Sequence, residues 1–117
     1  MHVDTKRVYD EPATDDGYRV LVDRLWPRGV SKQDAHVDVW LKDIAPSTEL
    51  RKWFNHESDK FAEFTARYQR ELDNNPAVNE LKTVLDDHPK VTLLYSAHDA
   101  NNNVAVLLEY LKNTSDK

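Results

Sequence analysis

Two short apolar runs constrain the fold of this chain more than any other feature of its sequence. Residues 20–22 form a β-branched, apolar run that ends abruptly at Asp23, and residues 91–95 form a second run that ends at Ser96. Continuous apolar runs of this length are typical of strands covered on both faces. Because the residues between the two runs are mostly helical in pattern, we expect a right-handed crossover that places both strands in one parallel or mixed sheet.

Turn residues and apolar spacing divide the rest of the chain into short elements. Strands are expected over residues 5–9 and 18–24, and the alternation of apolar residues in 37–41 is typical of a third, brief strand. Apolar positions at helical spacing predict one helix after each of four capping residues, and one more helix near the C-terminus. The capping residues are Ser31, Ser47, Ser58 and Asn75, and Val104, Leu107, Leu108 and Leu111 form the apolar stripe of the last helix.

These elements predict one α/β domain over residues 1–112, followed by a frayed tail at 113–117. Its small sheet contains three or four parallel or mixed strands, and four or five helices flank it. In such a sheet, the polar residues that follow neighbouring strands lie at one edge, where ligands usually bind. We therefore expect the residues after the two apolar runs to form one site.

The composition excludes several classes of protein. The chain has no cysteine, which excludes disulfides, thiol catalysis and thiolate metal sites. No apolar segment approaches the roughly 20 residues that span a bilayer, and the N-terminus lacks the apolar core of a signal peptide. We therefore expect a cytoplasmic protein without a membrane partner. The net charge of −5 makes nucleic acid an unfavourable partner, and the sequence does not predict an oligomeric state.

Residues 18–32 are basic within this acidic chain, with four basic side chains against one acidic side chain. A small basic region on an acidic protein suits a compact anion better than a long polyanion. Within this region, Arg28 lies between a proline that restricts the backbone and a glycine that frees it. Its planar guanidinium can bind a phosphate or carboxylate through two hydrogen bonds. Arg24 and Arg28 are therefore candidate anion ligands; the structural alternatives are a solvated charged face and, for Arg28, stacking on Trp26.

The expected site also contains acid–base and aromatic side chains. Asp23 and His98 are candidate catalytic residues because each can accept or donate a proton. The structural alternatives are an ion pair with Arg24 for Asp23 and capping of the last helix for Asp99. Trp26 is a candidate wall on which a planar ligand can stack. The further candidate ligand-binding residues are Tyr95, Ser96 and Asp99.

The histidines of the chain do not form a metal motif. The five are scattered along the sequence, and none has a partner at metal-ligand spacing. We therefore expect no metal ion and no cofactor.

Three segments of the sequence resemble one family. They are VLVDRLWPRGVSK at residues 20–32, WLKDIAPSTELRKWF at residues 40–54 and VTLLYSAHD at residues 91–99. On these segments the chain is similar to the "domain of unknown function 488" family, and to its short YeaO-like branch, over residues 5–111. The resemblance implies a compact bacterial α/β protein without an established activity.

The resemblance also implies a shared site at the strand exits. Longer members carry Asp-x-Arg after the matching strand, near the position of Asp23-Arg24, and a segment rich in cysteine and histidine near the position of residues 96–99. This chain departs from the pattern twice, because residues 102–105 replace the His-Asn-His-Ala of the branch and Ser96 lies near the position of the cysteine. If those side chains are catalytic, the resemblance implies that this chain has lost the activity or never had it.

Two hypotheses of function follow. The first is a protein that binds a small anionic or planar metabolite at the strand exits, with or without a catalytic step. The second is a non-catalytic protein-interaction or regulatory module, in which Asp23, Arg24 and Arg28 form a structural ion-pair network. The sequence does not decide whether the chain is an enzyme.

Overall fold

A computed structural model describes residues 2–98 and 102–115, and within these ranges four strands form one parallel sheet. The order of the strands across the sheet is β1-β4-β2-β3. β4 therefore lies between β1 and β2 and is parallel to both, which confirms that the two apolar runs are neighbours in one sheet. The strands are β1 (Val3–Arg7), β2 (Tyr18–Leu21), β3 (Val39–Trp40) and β4 (Val91–Tyr95).

Five α-helices accompany this sheet within the described ranges, as predicted for an α/β domain. Three of the predicted caps are confirmed by hydrogen bonds. Ser31 and Ser47 accept the backbone amides of Asp34 and Leu50 at 3.0 and 3.1 Å, and Asn75 accepts that of Ala77 at 2.9 Å. The helices are α1 (Lys32–Ala35), α2 (Thr48–Phe54), α3 (Phe61–Asp73), α4 (Ala77–Asp87) and α5 (Asn103–Ser115).

Several predicted boundaries differ from the structure. β1 begins at Val3, ahead of the predicted residues 5–9, and β2 ends at Leu21, three residues before the predicted end. The ladder of β2 stops early because the backbone turns after Val22, whose amide still donates to Leu94 at 3.1 Å. Ser58 does not cap α3, since residues 58–60 form a 3-10 turn and α3 begins at Phe61 without a side-chain cap.

The two faces of the sheet are covered unequally. Val20 and Leu93 point to the face covered by the larger apolar cluster, which contains buried residues of α2, α3, α4 and α5. Leu21 and Leu94 point to the other face, where a smaller cluster includes Ala35 of α1 and the half-buried Trp26 and Trp40. Both faces of β2 and β4 are therefore buried, which explains their continuous apolar sequences.

A buried polar cluster lies at the edge of the sheet where β2 begins. Asp16 is only 6% exposed, and its carboxylate forms ion pairs with Lys6 and with Arg19. The Arg19 guanidinium also donates to the carbonyls of Ala35 and His36, at 2.9 Å each. This cluster joins β1, β2 and α1 at the edge opposite the predicted site.

Candidate functional site

Asp23 and Ser96 lie side by side where the two central strands end. Leu21 of β2 is paired with Leu94 of β4, so the residues that follow these strands emerge at the same edge of the sheet. One carboxylate oxygen of Asp23 accepts hydrogen bonds from the amide and the hydroxyl of Ser96, each at 2.9 Å. The other oxygen accepts the side-chain amide of Asn103 at 3.3 Å. Asp23 therefore connects the ends of β2 and β4 with the first residue of α5.

Arg24 connects the same edge to the segment before α2. Its Nε donates to the carbonyl of Pro46 at 3.2 Å, and its Nη2 donates to that of Ala45 at 3.1 Å. A third nitrogen, Nη1, lies 3.8 Å from a carboxylate oxygen of the exposed Asp43. Two of the five N–H donors of this guanidinium are thus used inside the protein.

Helix α3 holds the same segment from the other side. The Tyr68 hydroxyl donates to the carbonyl of Ile44 at 2.8 Å, and burial raises the pKa of Tyr68, with further contributions from the charges of Glu71 and Asp23. Glu71 accepts both the amide and the hydroxyl of Ser47, at 2.9 and 2.6 Å. These contacts fix where α2 begins relative to the edge of the sheet.

Two tryptophans hold the turn that follows β2. Trp26 donates its Nε1 hydrogen to the carbonyl of Val30 at 2.6 Å, and its ring meets Trp40 edge-on, with centroids 5.5 Å apart. Trp40 donates to the backbone carbonyl of Asp23 at 2.7 Å. The turn that carries Arg28 is therefore anchored at both ends.

These elements surround a cleft of about 340 Å³, within the range of small-molecule sites. Five of the predicted site residues line it, namely Asp23, Arg24, Trp26, Arg28 and Ser96. The other described lining residues are Tyr9, Leu25, Pro27, Ala45, Pro46, Arg51, Phe54, His56, Phe64, Ala97, Asn102 and Asn103.

Two of the remaining three predicted site residues, Tyr95 and His98, are described and do not line the cleft. Tyr95 is half-buried and packs against the larger apolar cluster, because alternation along β4 points it to the same face as Leu93. His98 is exposed and is not a lining residue. Asp99 lies outside the described residues. The structure therefore brings together the residues after β2 with Ser96, but not with Tyr95 or His98.

The side chains that line the cleft give it a basic character. Among the described lining residues, Asp23 is the one carboxylate, against the guanidinium groups of Arg24, Arg28 and Arg51. Within residues 2–98 and 102–115, the Arg28 and Arg51 side chains have no hydrogen-bond or ion-pair partner, whereas Arg24 binds backbone carbonyls. Two arginine side chains are thus left available to a ligand.

A left-handed turn after α2 brings His56 to the cleft. Asn55 and His56 have φ angles of 48° and 55°, a conformation that is uncommon for residues other than glycine. The His56 ring lies 6.2 Å from that of Phe54 between centroids, and both residues line the cleft. Asn55 is the left-handed C-cap that ends α2, and its amide donates to the carbonyl of Arg51 at 3.0 Å.

Sequence reasoning identified none of the twelve other described lining residues as site residues, and four of the twelve are exposed, namely Tyr9, Leu25, Arg51 and His56. Leu25 is apolar, and the Tyr9 hydroxyl has no spacing to other polar side chains that suggests chemistry. Arg51 lies among the residues of the apolar stripe of α2 and His56 follows it; the stripe predicts a helix but not what the helix packs beside. The missing information is the position of α2, which long-range contacts determine.

The described residues contain neither a metal-binding cluster nor a membrane-spanning helix. Within these ranges, no group of three or more histidine or carboxylate side chains is arranged to hold a metal ion. None of the helices there has the length and the apolar character needed to cross a membrane.

Comparisons with known proteins place the chain in a family. It is 44% identical over 105 residues to uncharacterized protein Rv3073c of Mycobacterium tuberculosis, covering 90% of this chain and 89% of that protein. It is 44% identical over 108 residues to uncharacterized protein YeaO of Escherichia coli, covering 92% of this chain and 94% of that protein. No solved structure matches the chain significantly. A family model described as "Inactive DUF488-N3 subclade" matches residues 2–117, and the chain therefore belongs to that family.

Proposed function

We propose that this protein binds a small oxyanion, a phosphate or a carboxylate, in the cleft where β2 and β4 end, and that it does so without a catalytic step. The observation that carries the proposal is the pair of arginine side chains, Arg28 and Arg51, that line the cleft without a partner within the described residues. An unpaired guanidinium can bind a phosphate or a carboxylate through two parallel hydrogen bonds.

The electrostatic setting supports an anionic ligand. The chain as a whole has a net charge of −5, yet the part of the cleft formed by described residues contains three arginines and one carboxylate. A concentration of positive charge within an acidic protein attracts small anions and disfavours long polyanions.

The contacts of Asp23 favour a positioning role for this residue rather than a catalytic one. Both of its carboxylate oxygens already accept hydrogen bonds, from Ser96 and Asn103. These three hydrogen bonds direct the carboxylate toward β4 and α5, whereas a general base must reach the proton of a bound ligand. His98, the second candidate catalytic residue, is exposed and does not line the cleft as described. The description of the family as inactive agrees with this reading.

The test is binding of inorganic phosphate, pyrophosphate and citrate, measured by titration calorimetry and by chemical-shift changes of backbone amides. We expect at least one anion to bind and to change the chemical shifts of amides in residues of the cleft. Arg28→Ala or Arg51→Ala should weaken the affinity for that anion at least about tenfold, because each variant removes one charge-assisted pair of hydrogen bonds. Arg70→Ala is the matched control, since Arg70 is an exposed arginine of α3 that does not line the cleft.

Two outcomes would reject the proposal. One is that none of the three anions binds at millimolar concentration. The other is that an anion binds equally well to the wild type, Arg28→Ala and Arg51→Ala, which would place the binding elsewhere. If the protein converts a bound anion and the conversion depends on Asp23, the anion site stands and only the claim that there is no catalytic step is rejected.

A further inference from the structure

We propose that the ligand of this cleft is amphipathic, with an oxyanion head joined to an apolar or aromatic group. The inference rests on the proposed anion site and adds the chemistry of the rest of the ligand. Its starting observation is that the large apolar side chains left exposed on the described surface, Leu25 at 64% and Tyr9 at 44%, both line the cleft.

The position of Leu25 is informative because its neighbours in sequence are fixed. Arg24 is held by the carbonyls of Ala45 and Pro46, and Trp26 by that of Val30. The leucine between them projects at the mouth of the cleft, where it is the most exposed large apolar side chain of the described residues. A single exposed leucine is ordinary, but one that adjoins a basic cleft provides contact for an apolar group.

Tyr9 is held beside the anion-binding arginine. Its hydroxyl donates to the backbone carbonyl of Arg28 at 3.1 Å. The guanidinium of Arg7 lies 5.1 Å from the centre of the Tyr9 ring, and Arg7 in turn donates to the carbonyls of Ser96 and Ala97 at 3.2 and 3.1 Å. The ring is therefore ordered before a ligand arrives, which lowers the entropic cost of a contact with it.

Buried aromatic rings continue this apolar surface inside the cleft. Phe54 and Phe64 both line it, and their rings are stacked with centroids 4.4 Å apart. Pro27 and Pro46 are buried lining residues as well. A ligand bound through Arg28 and Arg51 thus meets apolar protein surface both at the mouth and in the interior of the cleft. A bare inorganic anion would leave this surface in contact with water.

The test compares two pairs of probes, each with a small member and a phenyl member. The phosphate pair is methyl phosphate and phenyl phosphate, and the carboxylate pair is acetate and phenylacetate. In the wild type we expect the phenyl member of at least one pair to bind about tenfold or more tightly than its small partner, a ratio typical of an apolar group entering an apolar site. The pair that shows the larger ratio identifies the head group. Leu25→Ala should reduce the ratio several-fold and leave the affinity for the small partner unchanged.

The variants separate this inference from the proposed function. Arg28→Ala should weaken both members of a pair by the same factor, because it removes contact with the head alone. Leu108→Ala is the matched control for Leu25→Ala, since Leu108 is a half-buried leucine of α5 that does not line the cleft. Equal affinities within both pairs, or a ratio that survives Leu25→Ala, would overturn the amphipathic ligand while the anion site stands. If none of the four probes and none of the inorganic anions binds, both proposals fail.

Discussion

Asp23 and Ser96 are joined by two hydrogen bonds of 2.9 Å, one from the backbone amide and one from the hydroxyl of Ser96. The two residues are far apart in sequence, and their contact closes the edge at which β2 and β4 end. Asn103 adds a bond to the second carboxylate oxygen, which brings the start of α5 to the same point. The geometry supports a role for Asp23 in positioning the walls of the cleft.

The first prediction concerns this contact. We expect Asp23→Ala to lower the free energy of unfolding by about 2 kcal/mol, because it leaves a half-buried amide and hydroxyl without their acceptor. Ser96→Ala, which removes only the hydroxyl donor, should cost about 1 kcal/mol. Denaturant unfolding measures both values, and the double variant should cost less than their sum. An Asp23→Ala variant as stable as the wild type would contradict the positioning role.

The sequence predicted those parts of the fold and site that depend on local signals or on the sheet. The adjacency of β2 and β4 followed from their apolar runs, and it placed Asp23 and Ser96 together. The caps at Ser31, Ser47 and Asn75 followed from short-range hydrogen bonds that depend on residue type.

The rest depends on contacts between residues far apart in sequence. Arg51 lines the cleft because Tyr68 and Arg24 bind the carbonyls of residues 44–46 and so fix the start of α2. His56 reaches the cleft through the left-handed turn that follows α2, and the position of that turn depends on where α2 packs. Neither feature has a periodic or compositional signal, so a single sequence could not predict it.

The second prediction compares the two glycines of the chain. Both have positive φ, 69° for Gly17 and 79° for Gly29, so a side chain is strained at either position. At Gly17, however, a Cβ would also collide with the carbonyl oxygen of Lys90, whereas at Gly29 it would meet nothing within 4 Å. That carbonyl accepts the amide of Tyr18 at 2.9 Å, where β2 joins β4.

Gly29→Ala should therefore cost about 1 kcal/mol, the backbone penalty alone, and Gly17→Ala clearly more, about 3 kcal/mol. Thermal and denaturant unfolding of the two variants provide the measurement. Equal losses would show that the close approach of Lys90 to Gly17 is not a constraint in solution.

The third prediction concerns acid stability. Burial raises the pKa of Asp16, but hydrogen bonds from Lys6, the Ala13 amide and Arg19, with the charge of Lys6, outweigh it and lower the pKa from 3.8 to about 2. When folding lowers the pKa of a carboxylate, the ionised group stabilises the fold at pH values above its unfolded-state pKa. This contribution is lost as the pH falls through the folded-state pKa. As the pH is lowered from about 4 to about 2, the free energy of unfolding should therefore decrease.

Asp16→Asn should remove this part of the acid dependence. At neutral pH it should also cost about 3 kcal/mol, since it leaves Arg19 buried without its ionic partner. Asp15→Asn is the control, because Asp15 is exposed and its side chain has no ion pair among the described residues. The assignment fails if the wild type and Asp16→Asn lose stability in parallel between pH 4 and pH 2.

The fourth prediction distinguishes a ligand-binding cleft from the structural ion-pair network that the sequence left as an alternative. In the absence of ligand, Arg28→Ala should change the free energy of unfolding by less than about 0.5 kcal/mol, because the side chain is exposed and unpartnered among the described residues. Arg24→Ala should cost about 2 kcal/mol, since it removes the donors to Ala45 and Pro46. Denaturant unfolding in buffer free of phosphate and carboxylate measures both. A large loss for Arg28→Ala would favour the structural network, whereas a neutral or stabilising change is expected of a side chain held available for a ligand.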